Sequence, residues 1–135
     1  MAATYSGWVA AALVPLAALV PLLVRLRRGR RATPTELPIR LHVVVGLVVA
    51  GASFLHTLLA VLSLGSPQAI ASGEVALAMG ALAFLVLLSH TGLGLQLRRP
   101  KLRRRGDKRR QHLITATLIT VAVGLHAGLL MSANP

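Results

Sequence analysis

The chain has 135 residues, of which 55% are hydrophobic and only 13% are charged, and it carries 15 Lys or Arg against 3 Asp or Glu. Soluble domains usually have about a quarter charged residues, so this composition is typical of a protein whose solvent is largely lipid. The sequence has no cysteine, which excludes disulfides, iron–sulfur clusters and cysteine nucleophiles.

Four long apolar runs predict four transmembrane helices within a single domain, 1–135. A helix of about 20 residues crosses a hydrocarbon core of roughly 30 Å, and backbone polar groups in lipid must pair within the segment. The predicted fold class is therefore an all-α membrane protein, a four-transmembrane-helix bundle with up-down-up-down topology. The predicted helices are residues 7–24, 41–64, 75–97 and 113–131.

The first run contains Pro15 and Pro21 and has no basic residue before it. A secretory signal needs a positive segment ahead of its apolar core, so we expect an uncleaved first span. Because proline interrupts the helical hydrogen bonds, the two prolines predict a kink. This favours a peripheral packing role for the first helix over a seat for a cofactor.

The basic residues are confined to two connections. Six lie between Arg25 and Arg40 and nine between Arg98 and Arg110, whereas the connection 65–74 has none. The positive-inside rule predicts that both basic loops are cytoplasmic, with both termini outside an inner (plasma) membrane. Topology alone accounts for most of these charges, and attraction to anionic lipid or to an acidic partner is the functional alternative. We expect no nucleic-acid binding.

Four of the five histidines form two pairs of identical spacing. His42 and His56 lie on the second predicted helix, and His112 and His126 lie on the fourth, at the same 14-residue spacing. Since this spacing is about four turns, both members of a pair share one face, roughly 21 Å apart along the axis. In the predicted bundle these two helices run parallel. His42 then faces His112 near the cytoplasmic side, and His56 faces His126 at a deeper site.

Each facing pair can supply two imidazole nitrogens to opposite sides of one haem iron. Between the two levels, Val49 and Ile119 are predicted to fill the apolar space. Small residues one turn from each histidine would let the helices close around a porphyrin. These small residues are Gly46, Ala52, Ala116 and Ala122.

Two arginines are candidate partners of haem propionates. Arg40 and Arg110 each precede the first histidine of their helix by two residues, and a long arginine side chain can reach the interface and pair with a carboxylate. The interval from Arg40 to Arg110 equals the interval from His42 to His112. This common offset is consistent with a duplicated two-helix hairpin.

This arrangement resembles the di-haem cytochrome b families, in which two parallel helices each carry two histidines at this spacing, and the small four-helix transmembrane cytochromes b. The resemblance covers mainly residues 40–60 and 110–130 and extends to the four paired histidines only. It implies two haems b, transmembrane electron transfer, and a subunit of a larger redox complex without a catalytic site of its own. It also implies a quinone among the partners, although the quinone-site motifs of the larger cytochromes have no evident counterpart here.

Two other functions remain open at this point. Membrane-embedded histidines also occur in conduits for protons or metal ions, and the chain could be a non-haem membrane anchor. His90, on the third predicted helix, has no expected partner at matching depth and is placed between the levels of the two haems. We predict that it is a hydrogen-bonded core residue beside Ser89 and Thr91, with a role beside a haem ligand or at a quinone site as the alternative.

Overall fold

The computed structural model describes residues 2–29, 33 and 35–133, and all regular structure within them is helical. All four helices are long and apolar enough to cross a membrane, which confirms the predicted all-α class with four candidate membrane spans. Arg30 and Arg31 of the first basic loop, and the terminal residues Met1 and Pro135, lie outside the described residues. The helices are α1 (Ala2–Arg28), α2 (Leu37–Leu62), α3 (Pro67–Leu97) and α4 (Arg105–Ala133).

Local chemistry explains where α2 and α3 begin and where α3 breaks. Both helices have proline in the first turn, where the missing N–H would have no helical partner in any case. The Ser66 hydroxyl caps α3 by accepting a hydrogen bond from Ala69 N at 3.2 Å. Gly73 has a φ of +77°, a conformation that glycine adopts without a steric penalty. It divides α3 into a short piece, 67–72, and a long piece, 74–97.

The helices are longer than the apolar runs predict, and α4 differs most. It begins at Arg105 rather than near residue 113, so about two turns of basic helix precede its apolar part. The Arg105 guanidinium donates to the Leu97 carbonyl at 3.0 Å and also to the carbonyls of Arg99 and Pro100, which holds the turn between α3 and α4. Hydropathy locates only the part of a helix that lies in lipid, so it could not predict this polar extension.

The helices pack as two hairpins, α1 with α2 and α3 with α4. The hairpins meet mainly where α2 packs on α3, with a smaller contact between α1 and α4. Helices α2 and α4 therefore lie diagonally opposite, and within the described residues none of their Cα atoms approach within 8 Å. This separation leaves a space between α2 and α4 that side chains have to fill.

The interior is built mostly from small residues, while large apolar side chains point outward. Leu85, for example, is 61% exposed. This distribution is typical of a bundle in lipid, where close helix packing replaces the hydrophobic effect. Val49, Leu87 and Ile119 form a buried cluster at mid-height, as the sequence predicts for Val49 and Ile119. The other buried residues are Ala10, Ala76, Ala83 and Ala122.

Candidate functional site

The four paired histidines lie opposite one another in the space between α2 and α4. The ring centres of His42 and His112 are 6.1 Å apart and those of His56 and His126 are 6.3 Å apart. These are the two pairs that the 14-residue spacing predicts. The Val49, Leu87 and Ile119 cluster lies between the two levels, since Val49 is midway between the two histidines of α2.

The separation of the rings suits one metal atom between each pair. A metal–imidazole nitrogen bond is about 2 Å long, so two imidazoles on opposite sides of one iron have ring centres about 6 Å apart. Both pairs have this separation. In the His42–His112 pair the ring planes are at 88°, and in the His56–His126 pair they are at 60°.

Three of these rings are held by the same kind of hydrogen bond. A carbonyl oxygen can only accept, so the ring Nδ1 must carry the proton, which leaves the Nε2 lone pair free. This is the tautomer that an axial ligand needs, and a hydrogen bond from the other nitrogen is the usual way in which proteins orient a metal-binding histidine. The Nδ1 donors and their backbone acceptors are His42 to Ala17 (2.8 Å), His56 to Ala3 (3.0 Å) and His126 to Ala76 (2.7 Å).

Glycines let two of the rings approach the neighbouring helix. A Cβ at Gly7 would lie 2.9 Å from His56 Cε1, and a Cβ at Gly80 would lie 2.9 Å from His126 Cε1. Real Cβ atoms essentially never come so close. Each glycine comes four residues after the carbonyl that accepts from the same ring. The glycine therefore clears the space that the hydrogen bond requires.

Pro21 stands four residues after the carbonyl that accepts from His42, the position that glycine has beside the other two rings. In an α-helix the carbonyl of Ala17 would accept from the N–H of residue 21, but Pro21 has none. The Ala17 carbonyl is thus left without its helical partner, and His42 donates to it at 2.8 Å. Helix α1 continues through both prolines. Helix α1 carries none of the four paired histidines, but it does more than pack beside them, because it supplies the hydrogen-bond acceptors of both α2 histidines.

His112 is the exception among the four. Its Nδ1 is buried and has no hydrogen-bond partner among the described residues. Gly94 lies against its ring, since a Cβ there would be 3.2 Å from His112 Cε1. The carbonyl four residues before Gly94 belongs to His90. The ring of His90 is stacked on the His112 ring, with centres 3.8 Å apart and planes at 12°.

The structure corrects the expected depth of His90. It lies at the level of His112 rather than between the two histidine levels, and its Nδ1 is 2.9 Å from the Thr115 hydroxyl of α4. The predicted hydrogen bond is present, but the partner comes from another helix and not from Ser89 or Thr91. Periodicity along one helix could not identify a partner on a different helix.

The positions of glycine and proline support the duplication of a helical hairpin. The interval from Gly7 to Gly80 equals the interval from Pro21 to Gly94 and is three residues longer than the histidine interval, so each residue of α1 that makes space for a histidine has a counterpart on α3 if the connection between the helices of the second hairpin is three residues shorter. Sequence reasoning missed these contributions of α1 and α3 because it searched for ligands alone. A search of the two halves of the sequence for glycine and proline at matching positions would have identified Gly7, Pro21, Gly80 and Gly94.

A cavity of about 400 Å³ lies beside His42 and His112, within the usual range for a small-molecule site. Gly46 and Ala116 line it, as the sequence predicts for residues that make room for a porphyrin. The lining also includes three arginines, Arg98, Arg105 and Arg109.

The two arginines chosen from the sequence lie elsewhere. Arg40 and Arg110 are exposed, and neither lines this cavity. On a helix, residues 109 and 110 point about 100° apart, so proximity in sequence to His112 did not identify Arg109, which is also exposed but lines the cavity. Contact of Arg40 and Arg110 with propionates stays a prediction.

Comparisons of the chain with known protein families, with curated protein sequences and with solved structures found no significant match. No group of three or more His, Cys, Asp or Glu side chains in the described part of the chain could hold a bare metal ion. The paired geometry of the histidines is therefore the feature of this chain that points to a function.

Replacing Gly80 with alanine tests the close approach of His126 to α3. The added Cβ would lie 2.9 Å from His126 Cε1, so the ring must move and its bond to the Ala76 carbonyl must lengthen. We expect Gly80→Ala to destabilise the protein by about 1–3 kcal/mol, measured by thermal unfolding in detergent. Gly124→Ala is the matched control, because a Cβ at Gly124 meets nothing within 4 Å. Equal unfolding temperatures for the two variants would contradict the proposed role of Gly80.

Proposed function

We propose that this chain is a transmembrane b-type cytochrome that holds two haems between α2 and α4 and transfers electrons across the membrane. The observation that carries the proposal is the presence of two opposed histidine pairs, with ring centres 6.1 and 6.3 Å apart. Nδ1–H bonds to backbone carbonyls that leave Nε2 free on three of the four rings add support. No catalytic centre of its own is proposed, so the chain would act as a subunit of a larger oxidoreductase.

The two histidine pairs would supply the iron ligands of the two haem groups. His42 and His112 would bind one iron, and His56 and His126 the other. Next to the first pair, an apolar cavity of about 400 Å³ offers room for part of the porphyrin, and Arg98 and Arg109 in its lining offer guanidinium groups to the propionates. Haem b, when bound, supplies one-electron redox chemistry.

The two sites would span the membrane. The 14-residue spacing of the paired ligands on one helix places the two sites about 21 Å apart along its axis. We further propose the up-down-up-down orientation in an inner (plasma) membrane, with the basic loops in the cytoplasm and both termini outside. The His42–His112 site would then be near the cytoplasm, and the His56–His126 site near the opposite face, where a quinone or an extracytoplasmic partner could exchange electrons.

Single histidine substitutions test the ligand assignment. We expect His56→Ala and His126→Ala each to remove the same haem and leave the other in place, because each iron needs both members of its pair. His42→Ala or His112→Ala should remove the other haem. Haem content and the reduced-minus-oxidised spectrum of the purified protein measure both effects.

Thr57→Ala is the control on α2, since it truncates a residue adjacent to His56 without removing an imidazole. A result in which His56→Ala and His126→Ala remove different haems would show that the pairing is wrong.

Pro21→Ala tests the hydrogen bond that orients His42. The substitution returns an N–H to position 21, which would compete with His42 for the Ala17 carbonyl. We expect about 10-fold weaker binding of the cytoplasmic-side haem, as is typical when the group that orients a ligand is lost, measured by haem transfer to apomyoglobin. Pro15→Ala restores an N–H in the same helix without touching this carbonyl, and it should leave both haems unchanged. Equal effects of the two substitutions would contradict the role of Pro21.

The orientation is tested by short tags at Met1 and Pro135. Both should be accessible to an impermeant reagent added outside intact cells, because all 15 basic residues lie in the two loops proposed to be cytoplasmic. Labelling of either tag only after the inner face has been opened would reverse the assignment of the two sites to the two faces.

A histidine-lined conduit for protons or metal ions is the second candidate. The observation that favours it is the proximity of three imidazoles, His42, His90 and His112, at one end of the bundle. A conduit would purify without haem, and would conduct when reconstituted in vesicles. A non-haem anchor would show neither property, so the spectrum and a conductance measurement separate the three functions.

A further inference from the structure

His90 is a histidine that the proposed haem ligation does not use, although its ring lies against a ligand. It belongs to α3, and its ring stacks on the ring of His112 with centres 3.8 Å apart and planes at 12°. Parallel stacking at this distance restricts rotation of the His112 ring about its χ2 angle, because the ring faces would collide in most other orientations.

His90 is itself held in place. Its Nδ1 is 2.9 Å from the Thr115 hydroxyl, and that hydroxyl is within 3.0 Å of the His112 carbonyl, to which it donates. Because the single hydroxyl proton is used in the backbone bond, the threonine oxygen accepts from His90 Nδ1–H. The chain of contacts starts and ends on the same turn of α4, so the stack is fixed relative to the helix that carries His112.

His112 differs from the other three paired histidines in the contacts that hold its ring. The other three paired histidines donate from Nδ1 to a carbonyl of the adjacent helix, whereas the buried Nδ1 of His112 has no partner among the described residues. A ring without that bond has lost the usual restraint on its orientation. Gly94, which also lies against this ring, offers no side chain that could replace the bond.

We infer that His90, anchored by Thr115, is a positioning residue that fixes the orientation of the His112 imidazole through stacking. The inference rests on the proposed haem function. It assigns His90 no bond to iron, and it makes the two haem sites unequal, since only one of them has a ligand oriented in this way.

Electron paramagnetic resonance of the oxidised protein tests the inference, because the g values of a low-spin haem depend on the angle between its axial imidazole planes. We expect His90→Ala to retain two haems, to shift or broaden the signal of one haem, and to accelerate one of the two phases of haem transfer to apomyoglobin about 10-fold. His90→Phe keeps an aromatic ring for stacking but cannot bind iron or donate to Thr115, so it should retain both haems and change the signal less than His90→Ala does.

Thr115→Val removes the anchor and should change the same signal as His90→Ala. Thr117→Val is its control, because the Thr117 hydroxyl donates to the Leu113 carbonyl of its own helix. Unchanged signals and transfer rates in His90→Ala would overturn the inference, as would loss of the same haem in both His90→Ala and His90→Phe, which would make His90 a ligand. Absence of haem from the unmodified protein would instead overturn the proposed function.

Discussion

The hydrogen bond from an imidazole Nδ1 to a backbone carbonyl of the neighbouring helix is the interaction on which the rest of this structure depends. It fixes the tautomer, leaves Nε2 without a proton, and ties the second helix of each hairpin to the first. In lipid no water is available to accept a hydrogen bond from an unpaired imidazole N–H. The same bond therefore removes the cost of an unpaired N–H in the interior of the bundle.

Helical carbonyls are poor acceptors for a side chain, because each already accepts from the residue four positions later and is surrounded by side chains. The chain meets this constraint in two ways. Pro21 removes the competing N–H at Ala17, whereas Gly7 and Gly80 clear the space around carbonyls that keep a second lone pair. Proline and glycine, which destabilise helices in water, thus make backbone carbonyls of α1 and α3 accessible to a histidine of the neighbouring helix.

The sequence was sufficient for the parts of the structure that periodicity and hydropathy determine. The four apolar runs predicted four helices, the 14-residue spacing predicted which histidines face each other, and the interval between them predicted the Val49 and Ile119 layer. It failed where a contact depends on the rotation of one helix against another. Three features depend on interhelical geometry, which a single helix pattern does not contain: the stacking of His90 on His112, the acceptors on α1 and the position of Arg109 beside the cavity.

The central claim is that each histidine pair binds one iron from both sides. The most direct measurement is the haem-to-protein ratio of the purified chain combined with near-infrared magnetic circular dichroism of its oxidised form, in which the position of the charge-transfer band identifies the axial ligands. The account predicts two haems b per chain, both low-spin with two histidine ligands. A chain that purifies without haem from haem-replete cells, or with haem in a high-spin, single-histidine form, would contradict it.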